Sequence, residues 1–216
     1  MLIYRQVQHR GARRATLHAA GWISFALIVM SVAPSLSRAT LVCSGTPEFV
    51  QQCEAAIEEV RATTPVGEAI VEELTKEGPG SHLHVILEDP TPDSRNIPLD
   101  RAAANDLESG GLGIGSDTTT FWNPTATDPF ISEPSVDRDP IATMQHELAH
   151  AWVADTGGRS EETVPGTDVG RREVDATIIE DEYREAVGLD LRTRYDGAAV
   201  PTPTPIPETG SSILSS

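Results

Sequence analysis

His146 and His150 bracket Glu147 in the run His146-Glu147-Leu148-Ala149-His150, and Ala151-Trp152 follows directly. On an α-helix, positions four apart share a face, so both imidazoles can reach one cation, while Glu147 stands about 100° further round. From there a carboxylate can touch a water on the ion rather than the ion itself. Two imidazoles and a base at this spacing are the groups that zinc-dependent peptide hydrolysis uses. Two neutral ligands make a weak site by themselves. The chemistry therefore demands a third ligand, a genuine helix, and a coordination position left open, since structural zinc sites are normally closed by four protein ligands.

Glu173, 23 residues past His150, is the leading third ligand. It would offset half of a divalent ion's charge and leave the site electrophilic enough to bring the pKa of bound water towards about 7. Asp168, Asp175 and Glu180 compete for that place, and the ordinary reading of Glu173 is a solvated first-turn acid favoured by the helix dipole. Glu180 lies seven residues beyond Glu173 on the same helical face, from which it can orient His146 or His150 through a free ring nitrogen. Ala176 is small enough to let two helices approach. Tyr183, Arg184 and Tyr195 are candidates for steadying an oxyanion, with helix packing and salt bridging as equally weighted roles. His82 and His84 are read as ordinary polar strand residues. A chance occurrence of the motif on an amphipathic helix is the plain alternative, and the surrounding punctuation argues against it.

Asp139 is a good N-cap, and Pro140 suits the first helical position, where its missing N–H costs nothing. Gly157-Gly158 supplies the stop. Ile141, Met144, Leu148 and Ala151 gather opposite the histidine edge, so the back of this helix can bury while the histidines face a cleft. A second helix is expected from Arg171 to Val187, closed by Gly188. Upstream, helical spacing runs from Pro47 to Val60, and Thr64-Pro65 opens another helix through Leu74. Strands are expected at His82–Leu87 and Asp117–Trp122. Residues 91–115 read as mostly loop with a short helix near Arg101–Leu107, and a further Pro- and Asp-rich loop precedes the motif helix.

The chain has 216 residues, room for one domain and appendages. Residues 1–39 read as an export signal: Arg5, Arg10, Arg13 and Arg14 precede an apolar stretch, Gly21 to Ala33, too short to span a bilayer, and Ser37-Arg38-Ala39 offers a cleavage point. Arg13-Arg14 loosely resembles a twin-arginine signal. The domain is expected over 40–197 and a flexible Pro/Thr/Ser-rich tail over 198–216, in which Ile206-Pro207-Glu208-Thr209-Gly210 looks like a sorting signal but reads as linker. Without the leader, 11 basic residues face 33 acidic ones, a formal charge of −22. Such a surface repels nucleic acid and anionic membranes and disperses the protein, so a monomer with no nucleic-acid partner and no stable membrane span is expected. The two cysteines, Cys43 and Cys53, suggest one disulfide in an exported protein.

At these residues the chain resembles the effector-protease family of zinc metallopeptidases, typified by type III secretion effectors. The resemblance rests on His146–Trp152, Arg172-Glu173, Glu180-Asp181-Glu182-Tyr183-Arg184, and Gly188-Leu189-Asp190-Leu191-Arg192-Thr193-Arg194-Tyr195. Asp181 stands where the family usually has Asn, and Asp190 where it usually has Pro. Phe49, Gly67 and Asn123-Pro124 extend the likeness upstream. The resemblance implies an α+β zincin-like single domain, a small sheet with an edge strand packed on helices, in which the motif helix is followed by a glutamate-ligand helix. It also implies one Zn2+ per chain on His146, His150 and Glu173, with Glu147 as base. Typified members are injected without a cleaved leader, so their substrates do not transfer.

The leading expectation is a secreted zinc endopeptidase acting on protein or peptide substrates, with Thr118–Trp122 receiving substrate as an added β-strand. A non-catalytic exported zinc-binding protein is the second reading, and a fourth ligand from Asp168 or Asp175 would support it. A third is an amidase or toxin acting on a non-protein amide.

Overall fold

The computed structural model describes residues 40–107 and 110–202. The export-signal reading of 1–39 and the linker and sorting-signal readings of 203–216 lie outside the described residues. The elements in chain order are β1 (Leu41–Ser44), α1 (Pro47–Thr63), α2 (Pro65–Leu74), β2 (His84–Glu88), β3 (Arg95–Pro98), α3 (Arg101–Ala104) and β4 (Thr118–Trp122). A hairpin of β5 (Pro129–Phe130) and β6 (Glu133–Asp137) follows, then α4 (Pro140–Asp155), α5 (Arg171–Val187), β7 (Arg194–Tyr195) and β8 (Ala198–Ala199). This is a mixed α+β domain.

Local chemistry explains the helices. The Thr46 hydroxyl accepts from Phe49 N at 3.2 Å and opens α1, whose Phe49, Cys53, Ala56 and Val60 form the buried stripe. Thr64 leaves the helical region and caps α2 by accepting from Gly67 N at 3.0 Å. Gly67 is required here, because a Cβ would stand 2.2 Å from the carbonyl oxygen of Val60. A disulfide joins Cys43 on β1 to Cys53 on α1.

The sheet runs in the order β1-β2-β4-β3, with β1, β2 and β4 parallel and β3 antiparallel to β4. Side chains alternate across it. His84, Ile86, Thr118, Thr120 and Trp122 form the buried face, while Val85, Leu87, Thr119 and Phe121 are half-buried on the other. The core joins Ile86 and Trp122 of the sheet to Phe49, Val60, Ile70, Leu74, Met144 and Leu148 of the helices. The indole N–H of Trp122 donates to Pro140 O at 2.8 Å, fixing the start of α4 on the sheet.

Three expectations are corrected. Residues 91–115 contain β3, an edge strand that tolerates Pro98 because an edge has a side with no ladder partner. With β2 on one side and β3 on the other, β4 has no free edge, so Thr118–Trp122 cannot receive a substrate strand. The tail boundary also moves: Ala198 and Ala199 pair with β7, and Ala198 and Val200 are buried against Val169 and Val174. The folded domain therefore runs past residue 197.

Candidate metal centre

Asp139 Oδ1 accepts from the amides of Ile141 and Ala142, each at 2.9 Å, and starts α4 at the expected residue. Met144, Leu148 and Ala151 go into the core, with Ile141 packed against it. Helix α5 spans Arg171–Val187 and ends at Gly188 with φ 78°, the left-handed conformation that suits glycine. Ala176 and Thr177 are buried, and the small Ala176 lets α5 lie close to α4. The Gln145 side-chain amide donates to Ile179 O and ties the two helices together.

This pairing brings three groups to one point. His150 Nε2 lies 3.1 Å from His146 Nε2 and 3.1 Å from Glu173 Oε2, and His146 Nε2 is 3.7 Å from Glu173 Oε2. One ligand atom from each of the three residues falls within 4.8 Å of the others. On its far side, His146 Nδ1 lies 3.2 Å from Glu180 Oε2. An ionised carboxylate can only accept, so Nδ1 carries a hydrogen towards Glu180; with a cation bound, Nε2 would give up its own proton and turn its lone pair to the cluster. Asp168 and Asp175 stand outside this group. Asp168 is exposed, and Asp175 pairs with Arg171 Nε at 3.2 Å on an exposed face.

The electrostatics fit a cation at this point. Burial opposes charge on His146, but hydrogen bonds to Glu173 and Glu180 overcome it and push the ring up to about 10. Burial holds His150 below its ordinary value. Burial would likewise raise Glu173, yet its bonds to the two histidines keep it well below the usual carboxylate range. Two ring nitrogens facing each other beside a carboxylate thus hold one positive charge, in a place where a divalent ion suits the donor set of two imidazoles and one carboxylate. Beside them, burial pushes the Glu147 carboxyl up to about 7, and its Oε2 has no hydrogen-bond partner among the described residues.

The other candidates divide. Tyr195 stacks on His146, with ring centroids 6.0 Å apart and planes 10° from parallel. Burial, then the Glu173 charge, raise its phenol well above the ordinary value and keep it protonated. Tyr183 is elsewhere: its hydroxyl donates to Glu59 Oε1 of α1 at 2.8 Å, so it packs helices and is no oxyanion donor. Arg184 takes the salt-bridging role weighed beside the oxyanion one, next to Glu180 behind His146. It is fully buried, donates to Asp190 O and Asp137 O at 2.7 Å each, and reaches Glu180 at 3.3 Å, which makes it a strut.

Sequence reasoning gave no role to Arg192, whose Nη1 donates to Glu180 Oε2 at 3.0 Å and whose guanidinium lies 5.0 Å from the Tyr195 ring centroid. Its place in the Gly188–Tyr195 run was the available signal. Nor did it foresee that His82 and His84 both reach Asp155 Oδ1, at 2.9 and 3.1 Å, joining the end of α4 to the sheet.

Glu147, Ser94 and Tyr195 border two adjoining cavities of about 360 and 240 Å³. One is walled by the β5–β6 turn, including Phe130 and Ile131, and the other by β3 together with His150 and Val153. The result is a cleft running alongside the free edge strand, with Glu147 at its middle.

No curated protein matches the chain. Solved structures of botulinum neurotoxin light chains are similar. The Clostridium botulinum serotype F light chain is 16% identical, with TM-score 0.37, over 52% of this chain and 37% of that one. The serotype HA light chain is 14% identical, with TM-score 0.37, over 56% and 38%. A serotype F catalytic domain from Clostridium botulinum is 12% identical, with TM-score 0.39, over 69% and 58%. The chain thus spans between 37% and 58% of the length of these proteins. The model of the peptidase family Peptidase M91, described as "Effector protein", matches residues 38–208, and the chain therefore belongs to that family.

Proposed function

We propose that the protein is an exported zinc metalloendopeptidase that works as a monomer on protein or peptide substrates. His146, His150 and Glu173 would hold one ion per chain. When bound, zinc supplies Lewis acidity that polarises a scissile carbonyl and lowers the pKa of water. Glu147 is the general base: it is buried at the cleft, has an unpartnered oxygen, and burial brings its proton affinity near neutral, where a base both takes and returns a proton. It accepts the proton of the attacking water and delivers it to the leaving amine. The Tyr195 phenol, kept protonated beside His146, donates to the oxyanion. Glu180, Arg184 and Arg192 position His146 rather than touch substrate. The free edge of β3 offers backbone groups to an extended peptide, the role first expected of Thr118–Trp122.

The observation that carries this reading is the convergence of three ligand atoms within 4.8 Å, beside a buried carboxylate oxygen with no hydrogen-bond partner among the described residues. The exposed placement of Asp168 and Asp175 speaks against a closed, structural site. The test is Glu147→Gln. The variant should keep one zinc per chain and lose cleavage of casein and of peptide libraries. A variant that still digests them, or a folded wild-type chain without stoichiometric metal, defeats the proposal.

A further inference from the structure

The cleft is electrically lopsided, which bears on what it can bind; the inference rests on the peptidase reading above. Between Thr40 and Val200 the chain has only 11 basic residues. Four of them, Arg95, Arg101, Arg159 and Arg172, line the cavity on the β3 side of Glu147. The carboxylates that line it are Glu147 and Glu173, which the proposed chemistry engages.

These four guanidiniums have few acids of their own. Arg95 pairs with Asp89 and lies 4.2 Å above the Phe121 ring centroid. Arg159 and Arg172 share Glu161, and Arg172 Nε also reaches Glu173 Oε1 at 3.2 Å. Arg101 is exposed and has no carboxylate partner among the described residues. Setting Glu173 aside as a metal ligand, two carboxylates serve four guanidiniums. Arg159 registers the crowding: burial first, then the charges of Arg172 and Arg101, hold it below the usual guanidinium range.

The other end of the cleft has no such surplus. Its Arg138 pairs with Asp93 at 2.8 Å and its Arg192 with Glu180 at 3.0 Å, and Asp196 adds a further acid. The overall negative charge of the chain does not cancel the difference. At physiological ionic strength charges are screened over roughly 8 Å, so a bound side chain feels mainly the groups lining its own cavity.

We propose that the cleft selects peptides carrying Asp or Glu on one side of the scissile bond, the side lying over β3, with Arg101, Arg159 and Arg172 as the specificity-determining residues. An extended peptide beside β3 presents side chains to this cavity, and a guanidinium fork matches a carboxylate in geometry as well as charge. On the opposite side of the bond the cleft is indifferent to an acid or disfavours it.

Two measurements test this. In the first, the zinc-loaded chain is given peptide sets in which Glu, Gln or Lys is scanned through four positions on each side of the cleaved bond. Glu should be preferred to Gln by about 5- to 20-fold on one side only. The preference should shrink in 0.5 M salt and fall to near unity in Arg101→Glu, whose exposed position lets it fold. Equal cleavage of the three sets, a preference for Lys, or an Arg101→Glu variant with undiminished preference overturns the proposal. In the second, the Glu147→Gln chain is titrated with fluorescein-labelled Glu-containing and Gln-containing peptides and followed by anisotropy. Tighter, salt-sensitive binding of the Glu peptide sustains the inference even if no peptide is turned over, an outcome that would count against the peptidase reading alone. Equal binding rejects it.

Discussion

Glu180 Oε2 lies 3.2 Å from His146 Nδ1 and completes a line from the candidate metal centre into the protein interior. Burial would raise this carboxyl, but the bond to His146 and the charges of Arg192 and Arg184 hold it below its usual range, so it stays ionised. Glu180, Arg184 and Arg192 have side chains no more than 4% exposed. One acid therefore serves two purposes: it would hold His146 in the tautomer a metal ligand needs, and it is the shared counter-charge of two buried guanidiniums.

Glu180→Gln should damage both. Zinc affinity, read by competition with a chelator, should fall roughly 10- to 100-fold, as when other partners of metal-binding histidines are removed. The unfolding free energy should drop by about 3–5 kcal/mol, because Arg184 and Arg192 would remain buried with their counter-charge gone. A variant with wild-type zinc affinity would show that Glu180 does not position His146.

Tyr195 and Tyr183 give an internal contrast. Tyr195→Phe should lower kcat by roughly 100-fold, the scale for losing one oxyanion donor, with KM changed much less. Tyr183→Phe should leave kcat as it was and remove about 1–2 kcal/mol of stability with its bond to Glu59. Similar kinetics for the two variants would remove Tyr195 from the proposed mechanism.

How far the sequence revealed these features depends on whether they are local. Helices α4 and α5 were legible because their signals are local: Asp139-Pro140 at one start, Gly188 at one end, and an apolar back on α4. The meeting of Glu173 with His150 was readable as spacing, but the face that α5 turns to α4 is set by packing. Tyr183 shows the cost. It lies three residues after Glu180, about 60° round the helix, and only the presence of α1 sends it to Glu59. Strand β3 was hidden for a different reason. Arg95-Asn96-Ile97-Pro98 has no strand-like alternation and contains a proline, and its conformation comes from pairing with β4, where Asn96 Nδ2 donates to Thr120 Oγ1 at 2.8 Å. The partnership of His82 and His84 with Asp155 spans about seventy residues and left no mark in either segment.

That partnership makes a prediction about acid. Asp155 ends α4, its side chain is 11% exposed, and it accepts from both histidines. Burial would raise its carboxyl, but the bonds from His84 and His82 outweigh this and lower it. A lowered folded-state pKa contributes stability that is fully present above the unfolded carboxylate value, near 3.9, and is lost as pH falls through the lower folded value. Asp155→Asn should therefore be less stable than wild type at pH 7 by about 1–3 kcal/mol. The gap in urea midpoint should narrow as pH drops from about 5 to 2.5. Curves that stay parallel over this range would dissociate Asp155 from acid stability.

The Cys43–Cys53 bridge joins β1, which among the described residues pairs only with β2, to the first turns of α1. A strand with one neighbour is the easiest part of a sheet to lose, and a loop ten residues long is short. Closing it restricts the unfolded chain by about 2–3 kcal/mol in the chain-entropy description. Cys43→Ser with Cys53→Ser should lower the unfolding free energy by about that amount. Because Cys53 packs against the core formed by α1 and the sheet, away from the His146 cluster, zinc stoichiometry and the Glu-to-Gln preference of the cleft should persist in the variant. A bridge of this kind belongs to an oxidising compartment. Chain recovered from such a compartment should show no free thiol by thiol titration and two after reduction under denaturing conditions. Two free thiols before reduction would remove both the stabilising role and the argument for export that rests on it.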